Sequence, residues 1–162
     1  MIIILMGVSG SGKTTIGKQL AAKLGWAFYD GDAFHPPANI AKMQSGTPLN
    51  DEDRAEWLAA MREVIDQALR MQQSFVLACS ALKQVYRAQL QADAREVRFV
   101  FLKGSFELIA RRLQGRKSHF MPPQLLRSQF ETLEEPQDVL TINITLPPKK
   151  IVAQIIKALA LA

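Results

Sequence analysis

Gly7-Val8-Ser9-Gly10-Ser11-Gly12-Lys13-Thr14 is the stretch that decides the fold. It satisfies G-x-x-x-x-G-K-[ST] at every fixed position, and its flanks supply the context in which that pattern has meaning. Before it, Ile2-Ile3-Ile4-Leu5-Met6 is a short uninterrupted apolar run, the pattern of a strand buried on both faces. After it, the residues through Leu24 read as a helix. Glycines let the backbone adopt φ > 0 and approach an anion with no Cβ in the way. Backbone N–H groups of Gly7, Ser9, Gly10, Ser11 and Gly12, and of Lys13, Thr14 and Thr15 at the helix start, then converge on phosphate oxygens. The helix dipole reinforces them. Lys13 is expected to neutralise charge between the β- and γ-phosphates, and the Thr14 hydroxyl to be a ligand of Mg²⁺. ATP and Mg²⁺ are therefore the expected cofactors.

Outward from this loop, short apolar runs alternate with helical patterns. Further strands are expected at Trp26 to Asp30, Ser74 to Ser80, Val97 to Lys103 and Val139 to Ile144. Helices are expected at Lys13–Leu24, Asp51–Met71, Lys83–Ala92, Ser105–Leu113 and Pro148–Leu159. Alternating β and α elements with buried strands imply an α/β fold, a parallel sheet covered by helices on both faces. Asn50 can cap the long helix, whose acidic first turn suits its positive end, and Trp57, Leu58, Met61, Ile65 and Leu69 keep helical spacing. Two segments interrupt the alternation, His35 to Leu49 and Gln114 to Pro136. Connections of such length in a compact domain usually carry function.

The chain has 162 residues, the size of one domain, and 48% of them are hydrophobic, enough for a sizeable core. No apolar run approaches the ~20 residues of a membrane span, and no secretory signal pattern precedes the glycine loop, so a cytoplasmic enzyme is expected. The lone cysteine, Cys79, lies in an apolar run and reads as a buried, inert thiol. Net charge is +5. That charge suits a cleft for two anions as well as nucleic acid, and no interleaved aromatic-basic stretch supports the latter.

In a parallel sheet, ligands bind beyond the carboxyl ends of the strands. Asp30-Gly31-Asp32 ends the second strand there. Asp32 is assigned to the acceptor hydroxyl and Asp30 to water on the metal. Ser80, Lys83 and Arg87, after the third strand, are candidates to give hydrogen bonds and positive charge to the acceptor; no aspartate of the Walker-B kind ends that strand. Arg112 and Arg116 stand four apart, on one face of a helix, where Arg112 can stack on adenine and Arg116 can reach the transferring phosphoryl group. His119-Phe120-Met121-Pro122 follows, in a segment suited to a flap that excludes water.

These residues also carry a resemblance. Asp30 to Pro36, Asn39 to Met43, Gly46 to Arg54, Trp57-Leu58, Cys79 to Lys83, Tyr86-Arg87, Gly115 to Pro122 and Ser128 to Glu134 resemble the signature of the bacterial-type gluconate kinases across almost the whole chain. The resemblance implies transfer of the γ-phosphoryl group of ATP to the 6-hydroxyl of D-gluconate. It implies an adenylate-kinase-like core with a parallel five-stranded sheet, one P-loop kinase domain over 1–162 with a substrate segment at about 32–57 and a lid at about 112–136, and a homodimer. It implies that Lys13 and Thr14 hold phosphates and Mg²⁺, that Arg112 and Arg116 serve the nucleotide from the lid, and that Asp32 meets the sugar acid. It extends gluconate or phosphate contact to His35, Arg54, Lys83, Arg87 and His119. One departure is a shortened loop after Glu135-Pro136.

Other readings of the loop are a kinase of the same fold acting on shikimate, a nucleoside monophosphate or a related sugar acid, and a P-loop switch that binds nucleotide without turnover. A guanine-reading N-K-x-D segment, expected of many such switches, is absent from the sequence.

Overall fold

The computed structural model describes residues 1–115 and 123–161. Five parallel strands form one sheet in the order β2-β3-β1-β4-β5. They are β1 Ile2–Met6, β2 Ala27–Asp30, β3 Phe75–Ala78, β4 Val97–Lys103 and β5 Leu140–Asn143. The helices are α1 Lys13–Leu24, α2 Pro37–Gln44, α3 Asp51–Arg70, α4 Gln84–Leu90, α5 Phe106–Gln114, α6 Pro123–Thr132 and α7 Pro148–Ala158. A 3-10 turn at Gly31–Phe34 follows β2.

β1 is the centre of this sheet, paired with β3 on one side and β4 on the other. All five of its side chains are inaccessible. Its alternation splits the core in two. Ile2, Ile4 and Met6 pack with Trp57, Met61 and Ile65 of α3 and with Tyr86 and Leu90 of α4. Ile3 and Leu5 pack with Ile16 and Leu20 of α1, Ile109 of α5 and Ile151 and Ile155 of α7. Burial on both faces is why the first run is continuously apolar rather than alternating. The chain runs from β1 to β2 on one side and later crosses to β4 on the other, so the order reverses beside β1. The glycine loop leaves β1 at this switch point, where the ends of adjacent strands open a crevice.

The ends of β1, α1 and β4 agree with the sequence reading, and the other expected elements shorten or shift by one or two residues. Each of the two irregular segments contains a helix. Pro36 and Pro37 start α2, with proline in the first turn where its missing N–H costs no helical bond. α6 lies in the second segment and buries Leu125 and Leu126. The long helix α3 begins with a reciprocal capping box, Asn50 accepting from the Asp53 N–H and Asp53 accepting from the Asn50 N–H.

Candidate active site

The phosphate loop has the backbone its sequence requires. Gly7, Gly10 and Gly12 have φ of 149°, 81° and 99°. A Cβ on Gly7 would stand 2.7 Å from Ser11 Oγ and 2.9 Å from the Leu102 carbonyl, so a larger residue there is excluded by space as well as by φ. The Gly7 N–H donates to the Ser80 carbonyl at 3.2 Å, tying the loop to the end of β3. Lys13 Nζ lies over the loop and donates to the Gly7 and Val8 carbonyls, each at 2.9 Å. Desolvation lowers the Lys13 pKa, and the nearby Asp32 charge opposes that shift. Ser11 Oγ is buried and has no hydrogen-bond partner among the described residues, an unmet polar atom inside an anion cradle.

A cavity of about 90 Å³ opens from the loop. Ser9 and Lys13 form its phosphate end, and Asp32, His35, Arg54 and Ser80 line it further out. Leu125, Ser128 and Gln129 of α6 close one side. Each polar residue is positioned by a local device. Asp30 Oδ1 accepts the Asp32 N–H at 3.0 Å and so turns the chain after β2, which brings Asp32 to the cavity. The other oxygen, Oδ2, accepts from Thr14 Oγ1 at 3.1 Å. The His35 ring stacks on Trp57 with centroids 4.4 Å apart, and its Nδ1 lies 3.2 Å from Asn39 Nδ2. Desolvation holds the His35 pKa below the ordinary imidazole value; the Asp32 charge opposes this and Arg54 adds to it. Trp57 is fixed in turn, donating from Nε1 to the Gly31 carbonyl at 2.8 Å.

Arg54 belongs to a network at the start of α3. Its Nη1 donates to the Tyr86 hydroxyl at 3.0 Å, and that hydroxyl makes a short hydrogen bond to Asp51. Asp51 also accepts from Lys83 Nζ at 2.8 Å. Hydrogen bonds from Lys83 and Tyr86 hold the Asp51 carboxyl below its usual range. Sequence reading put Lys83 on the acceptor directly. The structure instead pairs Lys83 with Asp51, and Lys83 is not among the residues that line the cavity.

Arg87 is a clearer correction. It was expected to bring charge to the acceptor, but it is 4% exposed and absent from the cavity lining. Its Nη1 donates to the carbonyls of Ala81 and Leu82, and its Nη2 to Gln84 Oε1 and the Glu134 carbonyl. Ala81, with φ of 45°, is in the left-handed region that a non-glycine residue rarely adopts. Arg87 thus clamps the strained turn after Ser80 to the chain leaving α6. Arg112 also lies apart from the main cavity. Its Nη2 donates to the Ile144 carbonyl at 2.7 Å. With Ser11, Gly12 and Thr15 it lines a second hollow on the other side of the loop. Arg116 and His119 lie outside the described residues.

Gln129 was absent from the sequence-derived site. Its Oε1 accepts from the Ser9 N–H at 2.6 Å, although the two residues are 120 positions apart. Cys79, by contrast, is the buried thiol expected, with desolvation pushing its pKa up to about 12. Among the described residues, no helix is long and apolar enough to cross a membrane, and no group of three or more His, Cys, Asp and Glu residues could hold a metal.

A 2-3-1-4-5 parallel sheet, a glycine loop at its switch point and an adjoining polar cavity define a P-loop kinase of small molecules. The family described as shikimate kinase matches residues 9–160. A gluconokinase of Gluconobacter oxydans (strain 621H) is 50% identical over 136 residues, covering 84% of this chain and 76% of that one. The thermoresistant gluconokinase of Escherichia coli (strain K12) is 44% identical over 162 residues, covering 98% and 93%. The crystal structure of a gluconokinase from Sinorhizobium meliloti 1021 superposes with a TM-score of 0.87 at 43% identity, covering 98% and 90%. The chain belongs to the gluconokinases, within the shikimate kinase family of P-loop kinases.

Proposed function

We propose that this protein transfers the γ-phosphoryl group of ATP to the 6-hydroxyl of D-gluconate. The observation that carries the reading is one cavity in which the phosphate-loop residues Ser9 and Lys13 adjoin Asp32, His35 and Arg54. Phosphoryl transfer needs alignment and positive charge more than covalent chemistry from the protein. Lys13 supplies charge at the terminal phosphates. Asp32 orients the acceptor hydroxyl and accepts its proton. Arg54, held by Tyr86, faces the substrate carboxylate with donors that the Tyr86 bond leaves over. His35, kept neutral by desolvation, and Ser80 offer uncharged hydrogen-bonding groups to the sugar hydroxyls.

Thr14 and Asp30 fit Mg²⁺, because a hydroxyl and a carboxylate 3.1 Å apart beside the phosphate cradle are hard oxygen donors. Thr14 would hold the ion directly and Asp30 through water. When bound, Mg²⁺ neutralises charge on the phosphate oxygens. Arg112 serves the nucleotide from the second hollow, and, by family resemblance, Arg116 and His119 serve the phosphoryl group and the acceptor from the lid at about 112–136. The residues at about 32–57 form the acceptor side of a single domain. A homodimer in the cytoplasm completes the reading, with no nucleic-acid or membrane partner.

The test is the structure of the product. Incubation with ATP, Mg²⁺ and gluconate should yield a phosphate monoester whose ³¹P resonance couples to the two protons of the primary C6 carbon. An ester on any secondary hydroxyl, or no ester, would refute the assignment.

A further inference from the structure

Ser9 has one backbone N–H, and Gln129 Oε1 accepts it at 2.6 Å. The same N–H belongs to the loop that must cradle phosphate. A phosphate oxygen carries charge and is a stronger acceptor than a carboxamide oxygen. The two acceptors therefore compete for one donor. Gln129 lines the cavity beside Ser128 and Leu125, so it reaches the loop from the α6 side of the acceptor space rather than from the α1 side. α6 is seated by buried Leu125 and Leu126, and its exit is fastened by the Glu134 N–H to the Leu82 carbonyl at 2.8 Å. The carboxamide is thus delivered by a held element.

We propose that Gln129 is part of the phosphoryl site. It holds the Ser9 N–H until the terminal phosphate takes that donor, and its freed carboxamide then donates from its own NH₂ to the phosphoryl group only as that group transfers, a bond that the bound nucleotide does not make. A carboxamide suits both steps, having an acceptor oxygen and two N–H donors on one rotatable group. A carboxylate at this position would keep the first step, lose the second and repel the phosphate. The inference rests on the phosphate loop binding nucleotide, and it does not depend on which acceptor is used in the binding measurement.

The experiment measures the affinity of the non-hydrolysable ATP analogue AMP-PNP, with Mg²⁺ and no acceptor, by calorimetry on wild type, Gln129→Ala, Gln129→Asn and Gln129→Glu. Thermal melts accompany each variant. Removing the competitor should tighten binding about fivefold in Gln129→Ala. Gln129→Asn, one methylene too short to reach Ser9, should tighten it likewise. Gln129→Glu should weaken it by at least the same factor. In turnover with gluconate, Gln129→Ala should lower kcat about tenfold despite its tighter nucleotide binding, an opposition that a merely structural residue would not produce. AMP-PNP affinity unchanged or weakened in both Gln129→Ala and Gln129→Asn would overturn the competition. An unchanged kcat in Gln129→Ala would overturn the donor step. Failure of wild type to phosphorylate gluconate would instead refute the acceptor assignment and leave the affinity series readable.

Discussion

Thr14 and Asp30 join the start of α1 to the end of β2: Thr14 Oγ1 donates to Asp30 Oδ2 at 3.1 Å. A kinase whose third strand runs into Cys79-Ser80, with no aspartate there, has its nearest carboxylate support for a metal at the end of the neighbouring strand instead. In the proposed site Asp30 supports the metal through Thr14 or water, so its loss should affect metal affinity before chemistry. Asp30→Asn keeps an oxygen for the Asp32 N–H but loses the charge. The Mg²⁺ concentration for half-maximal rate should rise about tenfold, the lower end expected for an outer-shell partner, with kcat largely recovered at saturating metal. Titration of the initial rate with Mg²⁺ checks this; an unchanged curve would remove Asp30 from the metal site.

Tyr86 orients Arg54 without lining the cavity itself. Tyr86→Phe leaves the ring beneath the guanidinium and removes only the hydroxyl. The KM for gluconate should rise about fivefold with kcat changed little, whereas Arg54→Ala should raise it by about 10- to 100-fold, the range for a lost hydrogen bond to a charged group. Steady-state kinetics separate the two. Equal effects on kcat and KM for ATP would mean that the pair serves the nucleotide.

Arg87→Ala should act on stability. It removes a buried guanidinium and leaves the carbonyls of Ala81, Leu82 and Glu134 without that donor. At about 1–3 kcal/mol for a buried group left unsatisfied, with part of the loss recovered by water, the cost should be about 3 kcal/mol. Urea unfolding reads it directly. A variant with native stability and a raised gluconate KM would return Arg87 to the acceptor site.

How much of this was legible in the sequence differs by element. β1 and α1 were readable to their ends because burial on both faces gives an unbroken apolar run and the glycine loop punctuates it. α2 was missed because two adjacent prolines look like a breaker, yet one of them serves as a helix start. Asp32 was placed because it follows the end of the second strand beside the glycine loop, whereas His35 and Arg54 came from the family resemblance; all three line the cavity. Arg87 was misplaced because an arginine on a short helix reads as a surface or cleft charge. Only the fold shows that it satisfies the carbonyls of a strained turn. Gln129 gave no local signal, since its partner Ser9 lies 120 positions away.

The pH dependence of stability follows from His35. Desolvation lowers its pKa in the folded protein, so the unfolded chain binds a proton that the folded one resists. The His35 contribution to stability is therefore fully present above the unfolded imidazole pKa of about 6.5 and is lost as pH falls from there toward the lowered folded value. His35→Gln, which cannot take up that proton, should flatten this part of the curve. Urea unfolding at pH 5.5 and 7.5 should show a smaller difference in the variant than in wild type; an equal difference would place the acid sensitivity elsewhere.

The central claim concerns the acceptor, and it is tested most directly by ADP release in a coupled assay with ATP, Mg²⁺ and a panel of D-gluconate, shikimate, nucleoside monophosphates and related sugar acids. Gluconate should give the highest kcat/KM, by at least about a hundredfold over shikimate and the nucleotides, because the roles proposed for Arg54 and His35 are to recognise a carboxylate and a hydroxylated chain. Turnover of shikimate or a nucleotide with none on gluconate would contradict it.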